Sequence, residues 1–119
     1  MTRNVVLVVL DTVRKADFDE YAPRLRSKSS LSFAQCRAAS SWSVPSHTSI
    51  FTEELPHRHG VHAEAFDAEF SFDSLDVDDT FMGRLPTYRT AGLSANAYIN
   101  STFGFDSLFD EFRDFSIGS

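Results

Sequence analysis

Asn4-Val-Val-Leu-Val-Val-Leu10-Asp11 is the stretch on which the fold class turns. From Val5 to Leu10 its side chains are apolar without interruption and mostly β-branched, the pattern of a strand buried on both faces. Such strands belong to parallel sheets and present functional groups at their carboxyl ends, and this one ends in Asp11. The six apolar residues from Val5 to Leu10 are too few for a membrane span of about 20 residues or a signal core of about 7–15. No membrane association and a cytoplasmic location are expected.

Between Asp17 and Ser29 acids precede bases, and Tyr21 and Leu25 stand four apart, which predicts a short helix in which Pro23 is tolerated only in a first turn. Residues 31–39 are expected to form a second strand. Pro45-Ser-His-Thr-Ser-Ile-Phe-Thr52 predicts a helix opened by its proline, with Ser43 just ahead of it. A loop from residue 53, a helix over about Asp78 to Leu85 and a third strand at the centre of residues 87–99 complete the pattern. Strands separated by helices define an α/β fold, a parallel-sheet core with flanking helices, in one segment spanning residues 1–119. The tail from Phe103 to Phe115 holds five of the twelve phenylalanines, a load that must pack onto something, either this chain or a partner.

The composition is globular, with 42% hydrophobic and 24% charged residues. Eleven Lys plus Arg against seventeen Asp plus Glu give a formal charge of −6, which opposes binding to nucleic acid. Only two of the bases are Lys and acids crowd residues 67–79, a balance suited to a halophilic, high-salt cytoplasm. Cys36 is the single cysteine, so neither an intrachain disulfide nor a cysteine-built zinc site can form.

The chemistry-bearing stretch is Ala38-Ala-Ser-Ser-Trp-Ser-Val-Pro-Ser-His-Thr-Ser-Ile-Phe-Thr-Glu-Glu-Leu-Pro-His-Arg-His-Gly-Val61. It resembles the signature of the sulfatase family of the alkaline phosphatase superfamily, in which a Cys or Ser precedes x-Pro-Ser-Arg, a helix follows, and Pro-x-x-His-Gly-Val comes about ten residues later. Val9-Leu-Asp-Thr-Val-Arg14 is similar to the family's first strand with its metal-binding Asp. Tyr88-Arg-Thr-Ala-Gly-Leu-Ser-Ala-Asn96 resembles its third strand, and Gly104-Phe-Asp-Ser-Leu-Phe-Asp-Glu-Phe112 the element after it. Together these cover nearly the whole chain, in the family's order, as a Ser-type variant like those of haloarchaeal sulfatase-like proteins.

The resemblance implies a metal-dependent hydrolase of small-molecule or carbohydrate sulfate esters. It places Ser43 at the nucleophile position, as a hydroxyl or oxidised to formylglycine, with Asp11 and Ser43 as ligands of calcium or magnesium. The residue types suit the task. A cation lowers the pKa of a hydroxyl and neutralises the developing anion, and a helix N-terminus offers N–H groups to a sulfate or phosphate. His47, one turn into the helix, can reach back to the nucleophile or the anion.

The chain departs from the family pattern at several positions. His47 stands where Arg is usual, removing a fixed charge and a bidentate donor. Thr12 stands for a second ligand Asp, Glu53 for a Gly after Thr52, and no Lys lies between Gly92 and Gly104. The family's remaining metal ligands fall beyond residue 119, so the chain corresponds to a truncated N-terminal portion of that fold. A cation held by Asp11 and Ser43 would lack most of its roughly six oxygen ligands.

Other features carry plainer readings. His57, His59 and His62 match no established ligand spacing. Cys36 is followed by Arg-Ala-Ala and reads as a buried strand residue, and Asn100-Ser-Thr102 as an idle glycosylation pattern. A non-catalytic remnant or interaction module of the same fold, and a phosphate- or phosphodiester-acting relative using the Ser hydroxyl, are the alternatives to a sulfatase. A haloacid-dehalogenase phosphotransferase would need Asp at position 13, which is Val.

Overall fold

A computed structural model describes residues 3–61 and 75–115. Their contacts divide into two units, Met1–Cys36 and Arg37–Ser119, which are taken in turn. Together they form a mixed α/β chain whose sheet is parallel. Among the described residues no helix is long and apolar enough to cross a membrane.

The first unit contains two short helices, α1 (Lys15–Tyr21) and α2 (Pro23–Lys28). The single helix expected over residues 17–29 is split because Pro23 has no N–H to give to an upstream carbonyl. It occupies the first position of α2, where that donor would be unpaired anyway. Lys15 hydrogen-bonds Asp19 one turn away, and that bond, with the charges of Lys15 and Arg26, holds the Asp19 carboxyl below its ordinary pKa.

Residues 4–10 depart from expectation. They form no strand, and their side chains stand open, from 41% exposed at Val9 to 82% at Val6. A strand buried on both faces needs a hydrogen-bonded neighbour and apolar cover on each side. α1 and α2 bury no residue and supply neither. The strand expected over residues 31–39 is likewise absent, and Cys36, expected to be buried in it, is exposed after a turn closed by Cys36 N–H donating to the Phe33 carbonyl at 3.3 Å.

The second unit is built on α3 (Ser43–Thr52). Val44, Thr48, Phe51 and Thr52 fall on one helical face and are buried, with Pro45 beside them. The two buried threonines donate their hydroxyls four residues back, Thr48 to Val44 O at 2.9 Å and Thr52 to Thr48 O at 2.8 Å, so the apolar face hides no unpaired polar group. α3 ends at Glu53, and α4 (Pro56–His59) follows at once. The helix expected over residues 78–85 is only a 3₁₀ turn, Val77–Asp79, capped by Asp76 and followed by further turns. Gly83 packs so tightly on that turn that a Cβ there would lie 2.4 Å from Val77 O, which suits a tight reversal and not a helix.

The third strand forms as β1 (Ala91–Ser94), and the Phe-rich tail supplies β2 (Glu111–Asp114), paired parallel with Gly92 opposite Phe112. Parallel neighbours need a long crossover. Residues 95–110 provide it through two 3₁₀ turns, Ser101–Phe103 and Phe105–Leu108. The Phe112 ring lies across Gly92, where a Cβ would come within 2.5 Å of it. The core gathers Val44, Phe51, Val61, Met82, Ile99, Phe105 and Leu108, with Phe51 at the meeting point of the Phe81, Phe105 and Phe109 rings at 5.9–6.1 Å. The tail's apolar load is thus absorbed in part by its own unit. Phe51→Ala should cost about 3–5 kcal/mol, read as a lowered midpoint in chemical denaturation.

Thr90 and Asp110, just ahead of the two strands, clasp each other. Thr90 donates N–H and hydroxyl to Asp110 Oδ2 at 2.7 and 3.0 Å, and Asp110 N–H donates to Thr90 Oγ1 at 3.0 Å. The Thr90 backbone bond first, then its hydroxyl, hold the Asp110 carboxyl below its ordinary pKa. Because the folded-state pKa is the lower one, this contribution is complete above about pH 4 and is lost as pH falls through the folded-state value. Asp110→Asn should therefore melt below wild type near neutral pH, with a gap that narrows below about pH 4. A gap constant with pH would contradict the clasp.

Candidate functional site

Ser43 opens α3 as its first residue, not the residue before it, and Trp42 is the extended N-cap, with no side-chain capping bond. Pro45 sits third. Any first-turn position suits proline, because none of those N–H groups has a partner within the helix. Ser43 is half-buried, and its Oγ accepts a hydrogen bond from Asn96 Nδ2 at 3.0 Å.

Asn96 lies just past the carboxyl end of β1, the end at which parallel sheets place functional groups. Its orientation is determined by its neighbours. Asn96 Oδ1 accepts from Tyr98 N–H at 2.7 Å, so the other terminal atom is the nitrogen, and it is the nitrogen that faces Ser43. Asn96 N–H in turn donates to Ser94 Oγ at 3.2 Å. The turn after β1 therefore presents a neutral donor to the hydroxyl at the start of α3. From the sequence Asn96 is only the end of a strand motif. An amide two residues beyond a predicted parallel strand was the signal available for it.

His47 does reach back one turn, but to the backbone. Its Nδ1 lies 2.7 Å from Ser43 O, and since a carbonyl only accepts, Nδ1 carries the proton and donates. The ring packs edge-on against Phe51 at 6.3 Å. His47 thus ties the first turn of α3 to the core, and in the neutral ring Nε2 is the acceptor nitrogen.

No family model matches this chain, and neither the curated proteins nor the solved structures contain a match.

His57 is exposed on α4, while His59 accepts from Val61 N–H at Nδ1 (3.0 Å), which leaves Nε2–H to donate to Ser49 Oγ at 2.9 Å. That pair pins the end of α4 to α3. His62 lies outside the described residues. The Asn100 side chain is buried and bonded at both ends, Nδ2 to Ala97 O at 2.7 Å and Oδ1 from Phe103 N–H at 3.3 Å, so its amide serves the fold.

Asp11, in the first unit, is exposed, and its Oδ1 accepts from Thr12 Oγ1 at 3.0 Å. Among the described residues no three His, Cys, Asp or Glu side chains converge as metal ligands do. Calcium and magnesium take about six or more oxygen ligands. The described side chains therefore do not make a complete cation centre.

Backbone conformation marks two of the positions singled out in the sequence. Thr12 has φ +64°, an uncommon conformation for a β-branched residue, immediately beside Asp11. Glu53 caps α3 at φ +62°, ψ +18°, the left-handed conformation that glycine supplies without strain, and its carboxylate meets Arg84 at 2.7 Å on the surface. Glu53→Gly and Glu53→Ala both lose that ion pair and differ in backbone strain. The glycine variant should be the more stable by about 1 kcal/mol, read as a higher Tm. Equal melting temperatures would remove the strain argument.

Proposed function

We propose that Ser43 is the nucleophile position of a sulfatase-type ester hydrolase, acting on sulfate esters of small molecules or carbohydrates, and that the chain supplies the N-terminal part of an alkaline-phosphatase-like fold. The single observation that carries this reading is the hydrogen bond from Asn96 Nδ2 to Ser43 Oγ, which joins the carboxyl end of a parallel strand to a hydroxyl in the first turn of a helix. The motif resemblance of residues 38–61 supplies the reaction class.

In this reading the Ser43 oxygen, as a hydroxyl or as the hydrate of formylglycine, attacks sulfur. A new oxygen–sulfur bond forms, the bond from sulfur to the ester oxygen breaks, and the alcohol leaves with the proton given up by the attacking hydroxyl; water, or collapse of the sulfated hydrate to the aldehyde, then releases sulfate. Asn96 donates to the attacking oxygen and stabilises charge on it, while the positive end of α3 favours the sulfate oxygens. His47 holds the carbonyl of Ser43 and so positions the first turn. A divalent cation bound beside Ser43 would supply further charge neutralisation.

An interaction module of the same fold is the second reading, favoured by the exposed apolar side chains of residues 5–10. The two readings separate on turnover. With calcium or magnesium and an aryl sulfate, the full chain should show hydrolysis that Ser43→Ala abolishes and Asn96→Ala lowers about 100-fold. Absence of both turnover and metal binding leaves the module. Mass spectrometry of the peptide carrying Ser43 separates the chemistries, with formylglycine expected for sulfate esters and intact serine for a phosphate-acting relative.

A further inference from the structure

The first unit is the opposite of the second in one respect: none of its described residues is buried. Residues 5–10 stand open, as do Tyr21 on α1, Leu25 on α2 and, beyond them, Leu31 and Phe33. A β-branched apolar run in this state has a strand's side chains and lacks only a neighbour for its backbone. The residues at its two ends bear on which neighbour that is. Arg3 and Asp11 bracket the run, both exposed and of opposite sign, and Leu7 lies midway between them.

We propose that residues 3–11 pair antiparallel with residues 3–11 of a second copy of this chain, about a two-fold axis at Leu7. The proposal names the partner that the interaction-module reading leaves open. It rests on residues 5–10 being an interaction surface and is independent of the reading of Ser43. In this register Arg3 of each copy lies opposite Asp11 of the other, Val5 opposite Val9, Val6 opposite Val8, and Leu7 opposite Leu7. Opposite charges and β-branched pairs directly across a ladder stabilise it, and like charges there destabilise it. A parallel pairing in register would set Arg3 on Arg3 and Asp11 on Asp11. A shift by one residue would set Asp11 against Asn4 and Arg3 against Thr12, whose φ of +64° does not continue a strand. The self-complementary register therefore satisfies both ends of the run at once, as an isologous interface requires. A nine-residue ribbon falls short of the roughly 800 Å² per partner of a stable interface, so Tyr21 and Leu25 supply further area by covering its faces. Association is accordingly expected in the micromolar range.

The test uses the full chain. Analytical ultracentrifugation should show a monomer–dimer equilibrium, which Leu7→Lys, placing two ammonium groups opposite each other on the axis, weakens at least tenfold. Asp11→Arg should weaken it about threefold, and adding Arg3→Asp to that variant should restore it. A parallel pair would respond to neither change. Cross-linking reads the register even where the dimer is weak. In a Cys36→Ser background, mild oxidation should join Leu7→Cys to itself and Val5→Cys to Val9→Cys, since residues directly opposite lie within disulfide reach. Val5→Cys should not join to itself, because its own copy lies about 13 Å along the ribbon. Cross-linking of all three combinations alike, or growth into assemblies larger than a dimer, overturns the closed antiparallel pair. If the chain stays monomeric, binding of the apolar dye anilinonaphthalene sulfonate separates the two levels of the argument. Dye binding that Leu7→Lys removes overturns the second copy and leaves the interaction surface standing. Dye binding that Leu7→Lys leaves unchanged overturns both.

Discussion

The packing of Phe51 is the interaction on which the second unit depends. Its ring touches the aromatic side chains of Phe81, Phe105 and Phe109, and its carbonyl accepts from Phe81 N–H at 2.8 Å, so one residue ties the helix to the turn after it and to the tail. The rings meet at steep angles, the arrangement aromatic quadrupoles favour. With that face of α3 committed, the direction of the helix is set. Its first turn, with Ser43 and Val44, lies at one end, and the strained cap at Glu53 lies at the other.

A second layer of constraint is polar and local. Asp76, Asp110 and Asp114 each accept a backbone N–H, from Asp78, Thr90 and Ser101 respectively. The acidic composition is thus spent partly on capping turns and strand starts, where a carboxylate satisfies donors that short elements leave unpaired. Such bonds suit a unit whose strands are four residues long and cannot satisfy their own ends. The same economy appears at the candidate site, where Asn96 closes its own turn through Oδ1 and still presents Nδ2 to Ser43.

The candidate site is accordingly a meeting of two element ends, the start of a helix and the exit of a strand. Each end carries side chains already oriented by backbone contacts, His47 by the Ser43 carbonyl and Asn96 by Tyr98.

By itself the sequence determined the features governed by neighbours along the chain. The helix near Pro45, the apolar centre that became β1 and the burden of the Phe-rich tail were legible, because each rests on local backbone rules or on the cost of exposing apolar rings, whereas the split of residues 17–29 at Pro23 was not. Residues 4–10 and 31–39 show the limit of that reading: apolar side chains, β-branched in the first stretch, state a preference for strand, but a strand exists only with a partner to take its hydrogen bonds. Tertiary structure alone decided that the tail would turn into β2 and lie parallel to β1, and that Asn96 would face Ser43 across 53 residues of chain. No periodicity encodes which loop meets which helix end. That follows only once the aromatic core has closed and fixed the distance between them.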